Sequence, residues 1–97
     1  MRTPLSEQAL NEALGELPHW ERAADALTRT FRFASFREAI SFLVRVAFVA
    51  EELNHHPEIA NVYNRVTLTL TTHDAGNKVT SRDVELAKKI DHFCWVD

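Results

Sequence analysis

A single cysteine, Cys94, leaves this sequence no partner for an internal disulfide, so packing and hydrogen bonds must hold the fold. That economy suits a reducing compartment, and we expect a cytoplasmic protein. Glycine occurs only twice and proline three times, which excludes flexible linkers and low-complexity architecture. No apolar run approaches the roughly 20 residues of a membrane helix. The opening MRTPLSEQAL lacks the hydrophobic core of a signal peptide. Excess basic charge is missing too: a net charge of −3 argues against direct binding to nucleic acid, which needs a concentrated basic face. No internal repeat appears. What is abundant is hydrophobic side chains, 45% of 97 residues, enough for one domain spanning residues 1–97 and a modest core.

Periodicity supplies the elements. Ser6 caps a first helix, with Leu5 and Leu10 as a hydrophobic staple across the cap; Ala9, Leu10, Ala13 and Leu14 form its buried stripe, and Gly15 stops it. Pro18-His19-Trp20 opens an extended segment that pairs with the alternating Leu27–Phe33 in a hairpin turning near Ala24-Asp25. A long helix follows from Phe36 to Leu53. Ala39, Ile40, Leu43, Val46, Ala47, Ala50 and Leu53 make its apolar face, and Phe42 and Val49 widen that face beyond one sheet's needs. The surplus predicts self-association, as a homodimer or homotetramer. Pro57 ends this helix. Ile59–Tyr63 and Val66–His73 read as two strands joined at Asn64-Arg65, with Asn64 taking the positive φ. Thr80 or Ser81 caps a last helix with Val84, Ala87, Ile90 and Cys94 inside. The order α-β-β-α-β-β-α predicts an α+β domain: a four-stranded antiparallel sheet with three helices on one face.

Chemistry concentrates in NHHPE, residues 54–58, and in the strand end at His73. If the long helix persists, Glu51 and His55 share a face and the carboxylate can orient the imidazole; His56 points elsewhere. Glu51, His55, His56 and His73 are nominally enough ligands for zinc. Adjacent ligands seldom reach one ion, however, and neither HExxH nor paired CxxC is present, so we expect no metal. Ser81 and Cys94 lack the context of an activated nucleophile. Thr80-x-x-Asp83 has the form of a capping box.

Together these residues carry a resemblance. E-x3-H-H-P from Glu51 to Pro57, then VYN, then VTLTLTTH ending at His73, then Ser81-Arg82-Asp83, is similar to the pterin-4a-carbinolamine dehydratases. Weaker similarity covers Trp20 and the FRFxxFxxA run from Phe31, so nearly the whole chain is included. The resemblance implies the same α-β-β-α-β-β-α fold. It also implies a hydro-lyase that converts 4a-hydroxytetrahydrobiopterin to quinonoid dihydropterin and water, recycling the pterin of aromatic amino acid hydroxylases. Carried over by position, His55, His56, His73, Glu51 and Asp83 form the catalytic set. Asn54, His55, His56, Thr71, Thr72, His73 and Asp74 hold the pterin. No metal or redox cofactor is implied, because imidazoles, with an ordinary pKa of about 6.5, can act as acid or base at neutral pH.

The resemblance has two departures and one rival. Asn54 stands where other members carry aspartate, which removes a charge beside His55 and would lower its basicity. Ile59-Ala60 replaces a frequent aromatic after Pro-Glu. Some relatives serve as transcriptional coactivators or assembly factors without catalysis, so a binding module is the alternative. Such a relative is free to lose its histidines; this chain keeps all three.

Overall fold

In the computed structural model, which describes residues 3–97, the elements are α1 (Glu7–Gly15), β1 (Glu21–Ala23), β2 (Ala26–Arg32), α2 (Phe36–Leu53), β3 (Glu58–Val62), β4 (Arg65–Leu70) and α3 (Ser81–Phe93). A short 3-10 turn, His73–Ala75, precedes α3. The strands lie in the order β1-β2-β4-β3 and every pairing is antiparallel. Alternation sets the two faces. Leu27, Phe31, Val66, Leu68 and Leu70 are buried, while Thr28, Thr30, Thr67 and Thr69, one residue out of phase, lie on the opposite, open face. The core therefore fills one side of the sheet only, against Leu10 of α1, Ala39, Phe42 and Val46 of α2, and Leu86, Ala87 and Ile90 of α3. The architecture is the expected α+β arrangement.

Several local expectations hold. Ser6 accepts a hydrogen bond from the Ala9 amide and caps α1. Thr80 caps α3 in a full capping box with Asp83. The first hairpin turns at Ala24, whose φ of 54° is left-handed.

Others are corrected. Pro18-His19 forms a turn, not an extended lead-in, and Trp20 donates its amide to Leu17 O. In the second hairpin Tyr63, not Asn64, takes the positive φ of 51°. Asn64 is instead spent on β2, its Nδ2 donating to Phe33 O at 2.8 Å. The last strand stops at Leu70, so His73 opens the 3-10 turn and does not end a strand. Arg29 shares the phase of Leu27 and Phe31 and lies on the buried face. The Arg29 guanidinium donates to Asp91 Oδ1 at 2.7 Å and Val96 O at 3.1 Å, and lies 4.2 Å from the centre of the Phe31 ring. Trp20 Nε1 donates to the same Asp91 oxygen. A buried cation is tolerated when paired and hydrogen-bonded in this way. The pair ties β2 to α3 and the C-terminal segment.

The long helix is rotated relative to expectation. Phe42 belongs to the core with Ala39, Val46 and Ala50, whereas Ile40 and Ala47 face outward. The surplus apolar stripe is real but differently composed: Phe36, Ile40, Val44 and Phe48, spaced by four, are all exposed.

Exposed ion pairs fasten α1. Arg22 holds Glu7 at 2.5 and 2.9 Å, and Lys88 holds Glu16 at 2.5 Å. The hydrogen bond and then the charge of each partner keep both carboxyls below their ordinary pKa. A depressed folded-state value means their small stabilisation is present above the unfolded pKa and lost as pH falls through the folded one.

Candidate active site

The end of α2 determines where the histidines point. Its last turn closes with Asn54 in the left-handed region, φ 49° and ψ 44°. The Asn54 amide donates to Glu51 O and the His55 amide to Ala50 O, the two bonds of a Schellman motif. Asparagine tolerates this conformation better than most residues, which gives Asn54 a backbone reason to be here. The helix thus ends before Pro57, which only follows the cap. Because it ends there, Glu51 and His55 do not share a face.

The expected pairing is consequently exchanged. The chain reverses at Asn54 and drives His55 inward, to 8% exposure, where its Nε2 lies 2.6 Å from Asp83 Oδ1. Glu51 instead meets His56, Oε1 to Nε2 at 2.6 Å, in an exposed pair. Asp83, not Glu51, orients His55. The carboxylate has two oxygens and engages both. Oδ2 completes the capping box by accepting from the Thr80 amide at 2.8 Å, while Oδ1 takes the imidazole.

Thr72 completes this buried layer. Its hydroxyl donates to Asp83 Oδ2 at 2.8 Å and so must accept from Thr80 Oγ1 at 2.7 Å. Thr72 is 1% exposed and Asp83 fully buried. Neither lines an open surface; Thr72 supports the carboxylate instead of lining the cleft among the pterin contacts. With Asp83 as acceptor on one side, the neutral His55 ring carries its proton on Nε2, and Nδ1 is left to take a proton.

A cleft of about 230 Å³ opens beside this layer, lined by Asn54, His55, His56, Thr71, His73 and Asp74. Six of the seven expected pterin-contacting positions therefore converge. His73 is exposed at the rim, carried there by the 3-10 turn. Buried His55 and exposed His73 line one concavity, an arrangement able to move protons at two points of one bound molecule. Among the described residues, no three His, Cys, Asp or Glu side chains converge as a metal-ligand set. No helix among them is long and apolar enough to cross a membrane.

One contributor was read only as a cap and another escaped sequence reasoning. Thr80 caps α3 and also feeds the Thr72–Asp83 chain. Arg82 reaches back from α3 to the carbonyls of Leu53 and Asn54. The available signal was the position of Arg82 inside Ser81-Arg82-Asp83, next to the carboxylate.

Comparison with known proteins bears on the family. The family model described as pterin 4 alpha carbinolamine dehydratase matches residues 3–93. A protein of Opitutus terrae, named provisionally as a pterin-4-alpha-carbinolamine dehydratase, is 58% identical over 96 residues, covering 99% of each chain. A crystal structure titled as a transcriptional coactivator/pterin dehydratase from Brucella melitensis superposes with a TM-score of 0.88 at 42% identity, over 93% of this chain and 97% of that one. A pterin dehydratase-like protein described as a RuBisCO assembly factor of the alpha-carboxysome shares the fold, with a TM-score of 0.61 at 24% identity over 75% of this chain and 83% of that one. On the strength of the family match and the near full-length identity, this chain belongs to the pterin 4 alpha carbinolamine dehydratase family.

Proposed function

We propose that the protein is a hydro-lyase that dehydrates 4a-hydroxytetrahydropterin to quinonoid dihydropterin and water. The observation that carries this reading is the His55–Asp83 pair, 2.6 Å apart and buried, opening onto a cleft shared with His56 and His73. Loss of water requires the C4a–O bond to break as the adjacent ring nitrogen pushes electrons to C4a. One proton must reach the departing oxygen and one must leave the ring. In this reading His55, held by Asp83, takes the ring proton through Nδ1, and His73 at the rim delivers a proton to the hydroxyl. The two transfers balance and the product is neutral. His56, steadied by Glu51, holds the pterin with Asn54, Thr71 and Asp74.

The physiological setting follows from the same chemistry: the substrate is what aromatic amino acid hydroxylases leave behind, and the recycling would take place in the cytoplasm. Decay of 4a-hydroxytetrahydropterin should be accelerated by the purified protein and should keep its rate after exhaustive chelation. Activity lost on chelation and restored by one equivalent of metal would overturn the acid/base assignment.

A non-catalytic binding role has one observation in its favour, the exposed stripe Phe36, Ile40, Val44 and Phe48 beside a shallow depression of about 390 Å³ lined by Ser41, Val44, Arg45 and Phe48. We assign that stripe to self-association, with edge strand β3 and its exposed Ile59 and Val62 as a second contact. Light scattering at micromolar concentration should return a dimer or tetramer mass. A monomer there would remove this assignment and favour a different partner.

A further inference from the structure

Arg82 takes no part in the proton chemistry, yet its placement runs against local preference. It sits in the first turn of α3, where the positive end of the helix dipole disfavours a cation. Its side chain leaves α3 and places Nη2 between two carbonyls at the end of α2, Leu53 O and Asn54 O, the latter at 3.0 Å. The last turn of α2 needs such a donor: it contains no basic residue, only Glu51 and Glu52. Those carbonyls are orphans of the helix and carry its negative dipole end. The cation missing from α2 is supplied by α3.

The consequence lies in register. Arg82 grips residues 53 and 54 while the next residue, Asp83, grips residue 55. Two consecutive α3 side chains thus fix three consecutive residues at the turn that aims His55. We propose that Arg82 is a positioning residue for the reaction, clamping the Leu53–Asn54 carbonyls so that His55 keeps its bond to Asp83 and its aim into the cleft. This rests on the function proposed above.

One nitrogen bridges both carbonyls, so a lysine ammonium can replace it, whereas an apolar side chain cannot. Arg82→Met is expected to remain folded while kcat for carbinolamine decay falls on the order of 10- to 100-fold, more than KM rises, as expected from small misplacement of a reacting group. The imidazole N–H resonance of His55, shared with Asp83, should broaden or vanish in the same variant. Arg82→Lys should restore both. If the Met variant does not fold, Arg82→Gln, too short to bridge the two carbonyls, should show the same two losses. Wild-type kcat with an unchanged His55 resonance in the folded Met or Gln variant would overturn the proposal, as would a Lys variant no better than Met. Should wild-type protein fail to accelerate the decay, the dehydratase reading falls, and the His55 resonance across the variants still decides the clamp.

Discussion

Asp83→Asn should lower turnover of 4a-hydroxytetrahydropterin by about 10²- to 10⁴-fold while leaving the sheet intact, the scale expected when an orienting carboxylate is replaced by its amide. Asp83 accepts from His55 on one oxygen and from Thr72 and the Thr80 amide on the other. Asparagine can keep only one of these oxygens. If its carbonyl stays with Thr72 and Thr80, its NH2 faces His55, which must then accept at Nε2 and carry its proton on Nδ1. The nitrogen assigned as base is thereby blocked. Stability should fall by roughly 1–3 kcal/mol, because buried hydrogen bonds to a charged carboxylate become bonds to a neutral amide. Asp83→Ala should be worse, because three buried donors lose their acceptor together. Turnover and urea unfolding of the two variants check both parts. Full activity in a folded Asn variant would show that His55 needs no oriented tautomer.

The second large effect concerns His55 and His73 together. Each, as a general acid or base, is expected to contribute about 10²- to 10⁴-fold, so His55→Ala and His73→Ala should each reduce turnover sharply. Because both act on one transition state, their losses should not add, and the double variant should be little slower than the poorer single. His56→Ala should act chiefly by raising KM, since His56 is exposed and paired with Glu51 away from the buried layer. His56 and His73 are exposed and support little core, whereas His55→Ala leaves the buried Asp83 carboxylate without its imidazole, so the fold of that variant is checked before its turnover is compared. A double variant whose loss is the product of the singles would indicate independent roles.

The fold was largely legible because its periods are clean. Alternation in Val66–Leu70 and the three-and-four spacing of α2 name the elements without help. The face of α2 was harder: nearly every position on it is apolar, so spacing alone cannot say whether Phe42 or Ile40 turns inward. Arg29 lies on the buried phase of its strand, but the partners that make a buried cation tolerable, Asp91 and Val96, lie more than sixty residues away in sequence. In the site, the residue types and their spacings were visible, but the pairing was not. Glu51 and His55 match the helical interval of four, and only the left-handed Asn54 breaks it. Asp83 looked like a cap because it is one; its second oxygen found His55 at a sequence separation of 28. Long-range partners of this kind leave no local pattern to read.

The central claim is that these histidines perform proton transfer on a pterin carbinolamine. Its most direct test is the decay of freshly generated 4a-hydroxytetrahydropterin, followed above the spontaneous rate, with wild-type protein and with His55→Ala of confirmed fold. The account predicts acceleration proportional to wild-type protein and nearly none with the variant. No acceleration by wild type, or equal acceleration by His55→Ala, would contradict it.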